Sequence, residues 1–396
     1  MYEALGMPAA RNSAYETCRR TILGEALIAA ENGQGVSYSR RKSFYADGKR
    51  YRGAAHTFTT VVRAVAELVQ EGWLHEHRVA PNHRGWQSSF WSTTRLIQAA
   101  SRVAVQLKFD GREIIRLKDA EGHLIDYPET RDTLRLRDAL ERINAHLKEI
   151  QIELPGAVRQ GRLLCVGEAC VLPRPGNGLY RIFSRGRFSC HGRAYGWWQN
   201  VPKTARGDLT IDGEGTVEVD YTALHPAILY CERGIKFCGD PYDIDDFPRN
   251  SVKFGFNIAV NAPNTRSAVG ALANKVGISS KDAAHLLAAI KKRHKPISEA
   301  FCSDAGMRLM RVDSKLILGA VSASNDDGFA ALPVHDSLIV PAHFAGRAEE
   351  KLVESFELIV GHVNPCQVKT KGKKVPHLEE KMLPSVSSHH GLSAVH

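Results

Sequence analysis

Residues 329–341, FAALPVHDSLIVP, hold two short β-branched runs with only His-Asp between them. So short a gap admits a tight hairpin and little else, with Asp336 at the bend beside His335. The stretch GTVEVDYTALHPAILY, residues 215–230, supplies a matching constraint. Val217 and Val219 alternate with polar residues as in a half-buried strand, which delivers Asp220 at its end and runs into an apolar helical pattern. A lone aspartate at a strand end is ordinarily a cap or turn residue. Two aspartates far apart in sequence, one on a strand and one on a hairpin, can instead converge on adjacent strands of one sheet. Such a pair suits Mg2+, which takes one or two carboxylates, keeps several waters and accepts substrate phosphates. A two-metal site for in-line nucleotidyl transfer needs a pair of this kind.

Between the two aspartates lies RNSVKFGFNIAVN, in which Arg249, Lys253 and Asn257, with Val260, recur at helical intervals. Two cations on one helix face can grip a triphosphate, although surface helices often show this spacing. Upstream, residues 180–207 interleave Arg181, Arg185, Arg187, Arg193, Lys203 and Arg206 with Tyr180, Phe183, Phe188, Tyr195, Trp197 and Trp198, and contain no acidic residue. Guanidinium groups neutralise phosphates and flat rings stack on bases, so this tract is expected to follow nucleic acid. The alternative is that the two tryptophans pack a hinge. Asp313, in RLMRVDSKLI, reads as a helix-surface or capping carboxylate, with a third acidic contact as the other option. His335 either positions a primer terminus or hydrogen-bonds locally. The cationic cluster Lys291–Lys295 ends a helical pattern and is explained by dipole compensation.

The first hundred residues have a different pattern. Val61, Val62, Val65, Leu68 and Val69 mark one face of a helix over 57–74, stopped by Gly72, and a β-hairpin with its tip near 81–85 follows. With a shorter helix near 14–31, this order resembles a winged helix-turn-helix. The preceding YSRRKSFYADGKRYR is basic with interleaved aromatics, and is expected to touch DNA or RNA unless it is a solvated loop on a protein-docking module. Residues 131–150 predict an amphipathic helix with Leu134, Leu140, Ile143 and Leu147 on its apolar face. The formal charge of +10 over 396 residues favours acidic partners. None of the eight cysteines falls in a CxxC or Cys/His zinc spacing, so reduced, buried thiols in a cytoplasmic protein are expected. No run reaches the roughly 20 apolar residues of a membrane span. A bacterial, phage or mobile-element context fits these features.

With these stretches assembled, residues 181–345 resemble the palm and fingers of family A polymerases, the polymerase I group, with kinship to phage-type single-subunit RNA polymerases. GRFS at 186–189 and WQNVP at 198–202 resemble that family's GRLS and LQNIP elements. VDYTALHPAIL resembles its motif A, RNSVK the start of motif B, and PVHDS motif C, where the DNA polymerases show HDE and the RNA polymerases HDS. The resemblance implies that Asp220 and Asp336 bind the metals, with Tyr221 contributing its backbone. It implies that Arg249 and Lys253 bind the incoming triphosphate, with Lys253 assisting catalysis and Asn257 further along the same face. Arg187, with Arg193 as a competing match, would line the primer-template minor groove, with Gln199, Asn200, Arg206 and His335 in the same contact strip.

The departures also bear on function. His225 stands where the family's DNA polymerases carry the glutamate that screens the ribose 2′-hydroxyl, and Asn257 and Asn261 fall where an aromatic residue and a tyrosine are usual. Short spacings between the motifs imply trimmed fingers, and nothing upstream resembles a proofreading exonuclease. The expectation is an α+β right-hand polymerase, with an antiparallel palm sheet, reduced helical fingers, a small thumb and an N-terminal winged helix. It divides into residues 1–108, a helical connector at 109–180, and palm and fingers at 181–396, with fingers near 247–300. The expected function is primer extension by a DNA-directed DNA polymerase using two Mg2+ ions, or Mn2+, dNTPs and a DNA template-primer. The chain would act as a monomer, away from membranes. The rivals are an RNA polymerase or primase-like enzyme and a non-catalytic replication initiator.

Overall fold

The apolar stripe predicted in the N-terminal part closes a small core of its own. The computed structural model describes residues 7, 10, 12–31, 33–80, 86–102, 113–361 and 368–371. Chain order in the N-terminal unit is α1 (Ser13–Ala30), β1 (Val36–Tyr38), α2 (Lys49–Arg52), α3 (Phe58–Gln70), β2 (Leu74–His77), β3 (Ser88–Ser92) and α4 (Thr94–Ser101). Asn12 starts α1 by accepting from the amides of Ala14 and Tyr15. The helix expected to be the shorter of the pair is the longer, with 18 residues against 13 in α3. Gly72, at φ +75°, ends α3 as predicted: its N–H donates to the Val69 carbonyl and that of Trp73 to Leu68. Ala64, Val65 and Leu68 pack there with Leu23, Leu74 and Phe90. The strands form an antiparallel sheet in the order β1-β3-β2. The hairpin tip expected near 81–85 lies outside the described residues.

The basic stretch before α3 is partly spent on holding this unit to the rest of the chain. The Lys49 and Arg50 amides donate to the Asp126 carboxylate. Arg50 pairs with Glu113 and Glu129 over the Tyr127 ring, and the Tyr51 hydroxyl donates to the Ile125 carbonyl. Arg41, Lys42 and Lys49 stay exposed.

The region expected to be a helical connector contains one long helix, α5 (Arg131–Lys148), and several short strands: β4 (Ile115–Leu117), β5 (Ile152–Glu153), β6 (Val158–Gln160), β7 (Leu163–Val166) and β8 (Ala169–Val171). In α5, Leu140, Ile143 and Leu147 are buried, but Leu134 is 46% exposed. Leu134 lies six residues before Leu140, off the three-to-four spacing of a helix face, and Leu136 takes the inward position. The expectation of reduced thiols fails for one pair. Cys165 and Cys170 stand opposite each other across the β7–β8 hairpin and form a disulfide. Their close spacing in sequence is that of hairpin partners.

The rest builds a mixed helix-and-sheet body, in agreement with the α+β expectation. Here β9 (Tyr180–Ser184) pairs with β10 (Arg187–Tyr195) and, in parallel, with β4. The short α6 (Lys203–Arg206) leads to β11 (Thr210–Ile211), β12 (Glu214–Tyr221) and α7 (Leu224–Glu232). Three helices follow, α8 (Arg249–Asn261), α9 (Thr265–Val276) and α10 (Ser280–Arg293), joined through Val252, Phe256, Leu272, Leu286 and Ile290. Next come the long α11 (Gly306–Asp326), the hairpin β13 (Leu332–Val334) and β14 (Ser337–Pro341), then α12 (Ala345–Val360) and β15 (Val368–Lys371). The main sheet is antiparallel in the order β13-β14-β12-β11-β5, with β15 also on β12. Helix α12 covers one face: the Tyr221 ring meets Phe356, and its hydroxyl donates to the Leu352 carbonyl. Period-two alternation therefore turns Glu218 and Asp220 to the other face.

Candidate active site

The predicted hairpin forms. Val334 pairs with Ser337, leaving His335 and Asp336 as the two-residue loop. His335 adopts φ +56°, in the region non-glycine residues seldom enter, and its side chain is exposed at the bend. On β12, Asp220 stands directly opposite Ser337. Register thus sets Asp220 one strand away from Asp336, at the same end of the sheet. Sequence reasoning missed Glu218, which lies two residues before Asp220 on the same face. Its carboxylate accepts a 2.7 Å hydrogen bond from Ser337 Oγ. On the other flank of β12, Lys369 of β15 stands opposite Asp220. The row across the three strands is therefore Ser337, Asp220, Lys369. Among the described residues no cluster of three His, Cys, Asp or Glu side chains with metal-binding geometry occurs.

Beside this row lies an ionic network that sequence reasoning misjudged. Asp313 sits at neither the surface nor the end of α11; it is 0% exposed in the middle of the helix. Its Oδ1 accepts from Arg193 Nε at 3.2 Å, Oδ2 forms a second bond to the same guanidinium at 2.5 Å, and His225 Nε2 stands 3.1 Å from Oδ2. One carboxylate thus ties β10 and α7 to α11. Burial alone would lower the Arg193 pKa, but the bond to Asp313 and the charges of Asp313 and Asp336 raise it above its ordinary value. Partial desolvation of the His335 ring, followed by the positive charge of Arg193, lowers the His335 pKa. Arg193, Asp313, His225, His335 and Asp336 therefore share one electrostatic neighbourhood.

Much of the basic, aromatic tract is spent on internal packing and hydrogen bonds. Trp198 is fully buried and donates from Nε1 to the Pro333 carbonyl, while Trp197 donates to Asn177 Oδ1. Neither ring can stack on a base. Arg181 is buried, donates to the Gly192 carbonyl and to Ser314 Oγ, and is lowered to about 9 by burial and the neighbouring Arg311. This bonding follows from a bulge: β10 shifts register around His191 and Gly192, with Gly192 at φ +86° where a Cβ would meet the Phe183 ring at 2.7 Å. Arg185 pairs with Asp304. Gln199 donates to the carbonyls of Ala194 and Pro333, and Arg206 to those of Gln199 and Val201. Arg206 Nε and Gln199 Oε1 are nonetheless buried without a hydrogen-bond partner among the described residues. Arg187 and Asn200 are exposed.

The cationic helix differs from the tract. Arg249, Lys253 and Asn257 form an exposed face of α8, whereas Val260 turns inward at 1% exposure. Arg249 forms an ion pair with Asp240, and both it and Lys253 lie near the Tyr242 ring. Behind the helix, the buried His294 joins Tyr230 and the Pro241 carbonyl. The carbonyl can only accept, so Nε2 holds the proton, Nδ1 accepts from the Tyr230 hydroxyl, and the ring is neutral; burial lowers its pKa to about 4.

No family model and no curated protein matches the chain. Among solved structures it is similar to the POL domain of Pol1 from M. smegmatis, in complex with DNA primer-template and dNTP, at a TM-score of 0.35 and 14% identity. That alignment covers 61% of this chain and 51% of the other, so the chain spans about half the length of that structure.

Proposed function

We propose that the chain is a template-directed nucleotidyltransferase, a DNA-directed DNA polymerase without proofreading, that extends a primer 3′-hydroxyl at Asp220 and Asp336. One observation supports the reading: the β12–β14 register brings Asp220 on a strand and Asp336 in the hairpin loop that leads into the neighbouring strand, remote in sequence, to one end of a sheet, with an exposed cationic helix following β12 in the chain. The donors suit Mg2+, and equally Mn2+, because two carboxylates and the Tyr221 carbonyl leave room for waters and phosphate oxygens. Two such ions, when bound, supply charge neutralisation for the attacking and leaving oxygens of an in-line displacement.

In this reading Arg249 and Lys253 hold the triphosphate, and Lys253 also protonates the departing pyrophosphate. Asn257 extends the same face. His225, fixed by Asp313, stands in the first turn of α7, the helix that follows the strand carrying Asp220, and faces the sugar. Arg187, Asn200 and the exposed His335 contact the primer-template. Arg193, Gln199 and Arg206 act through the framework, apart from the unpaired edges of Gln199 and Arg206. In the same reading the N-terminal unit is a winged helix, supported by its element order and β1-β3-β2 sheet, and Arg41, Lys42 and Lys49 are the cations it offers to DNA.

A second reading, an RNA polymerase or primase-like enzyme, is favoured by Ser337, which engages Glu218 where the DNA polymerases carry a glutamate. Primer extension with dNTPs and NTPs, with and without a primer, separates the two. In both, Asp220→Asn and Asp336→Asn are expected to abolish synthesis while sparing DNA binding. Wild-type rates in either variant would sink the assignment.

A further inference from the structure

Where β12 ends, a cavity of about 350 Å³ opens, with Thr222, Ala223, Tyr230, Asp240, Arg249 and Lys369 among its lining residues. Its charged groups come from three separate segments: the loop before α8, the start of α8, and β15. Arg249 approaches Asp240 at two points, Nε to Oδ2 and Nη2 to Oδ1, the latter at 3.3 Å. Lys369 faces the cavity from the strand position opposite Asp220. Directly opposed positions on antiparallel strands share a face. Helix α7 begins at the same wall. Its N-cap, Ala223, has φ +59° and provides no side-chain acceptor for the first-turn amides. Two cations and the positive end of a helix thus surround one carboxylate.

We propose that Asp240 is a displaceable counter-ion that fills a polyphosphate seat made by Arg249 and Lys369, and that the phosphate chain of the incoming nucleotide evicts it. The inference rests on the nucleotidyltransferase reading only for the identity of the anion. Asp240 is poised for exchange: Arg249, with Lys369 adding to it, holds its carboxyl below the usual range, so it competes as an anion at neutral pH. Its side chain is 36% exposed and that of Arg249 49%, so the pair is weak enough to open. A polyphosphate meets the same two cations with more charge and more acceptors. The seat also makes Lys369 a specificity residue, since it links the phosphate position to the strand carrying Asp220.

The test is calorimetric binding of Mg2+-free tripolyphosphate, and separately of dTTP with Mg2+, to the full chain at low ionic strength. Asp240→Asn is the informative change, because asparagine keeps the acceptor that receives the Tyr242 amide at 2.9 Å and so preserves the turn. Asp240→Asn is expected to tighten both ligands about fivefold, while Arg249→Ala and Lys369→Ala each weaken them by about tenfold. Unchanged or weaker binding in Asp240→Asn, with Arg249→Ala still impaired, would mark Asp240 as a structural partner and overturn the proposal. So would normal binding in Lys369→Ala. Should primer extension fail while Asp240→Asn still tightens tripolyphosphate, the polymerase reading falls and the seat stands.

Discussion

Two stretches of this chain look alike as letters, and the fold treats them in opposite ways. The tract 180–206 and the helix α8 both place arginine and lysine among aromatic residues, and both invite a phosphate contact. In the first, Arg181 and Arg193 are drawn inside to satisfy a bulge carbonyl and a buried aspartate. In the second, Arg249 and Lys253 project from the outer face of a helix. Positive charge in sequence therefore does not identify a phosphate site. What separates the two is burial. A bulged strand packed on α11 draws Arg181 and Arg193 inward, where a carbonyl and a carboxylate hold them, whereas Arg249 stays 49% exposed beside Asp240 and Lys253 stays exposed near the Tyr242 ring.

The sharpest way to break this contrast is Arg193→Met. It leaves Asp313 buried with His225 as its remaining partner among the described residues, and such a loss costs about 3–5 kcal/mol. Urea denaturation should show it as a large fall in midpoint at unchanged slope. A loss below about 1 kcal/mol would mean that Arg193 is a solvated cation after all. Trp198→Ala comes next. The ring fills the junction of the tract with β13, and its removal is expected to cost about 3–5 kcal/mol in the same measurement. A base-stacking ring would instead lose DNA affinity at constant stability.

How much of this was legible depended on the range of the interaction. The β13–β14 hairpin follows from two residues between β-branched runs, and the strand before Asp220 from alternation, both local signals. α3 and its stop at Gly72 were equally local. The burial of Asp313 had a usable signal, since Leu309, Leu316, Ile317 and Ala320 share its face at helical spacing while Arg308, Arg311 and Lys315 lie opposite; its partners Arg193 and His225, each far away in sequence, had none. The bulge at Gly192 left a mark, an isolated glycine within a strand pattern, but its capture of Arg181 from the neighbouring strand did not. Glu218 had a usable signal, since it lies two residues before Asp220 on the same strand. Lys369 had none: its pairing with β12 joins distant parts of the chain.

Acid sharpens the contrast within α8 itself, whose inner side rests on a buried histidine. His294 is held near 4 against an ordinary value of 6.5. Between those values the unfolded chain binds more protons than the folded one, so stability rises with pH there. It is complete above pH 6.5 and is lost as pH falls through about 4, by roughly 3 kcal/mol for this one group. His191 in the tract, lowered to about 4 by burial and then by Arg193, adds a loss of the same sign. Thermal melts of the wild type and His294→Phe across this window separate the two contributions. An equal acid slope in both proteins would show that His294 is not buried in its neutral form.

The smallest effect on stability belongs to the outer face of the same helix. Lys253 is exposed near the Tyr242 ring, so Lys253→Ala should leave the denaturation midpoint within about 0.5 kcal/mol of wild type. Catalysis should respond quite differently, with kcat for primer extension falling about a hundredfold, because a cation at the transferring phosphates acts where charge develops. The two readouts together decide the case. Arg193→Met changes stability first and activity through it, whereas Lys253→Ala changes activity alone. If Lys253→Ala were instead to unfold the protein, or leave kcat untouched, α8 would belong with the tract, and the distinction between spent and available cations would have to be drawn elsewhere in the molecule.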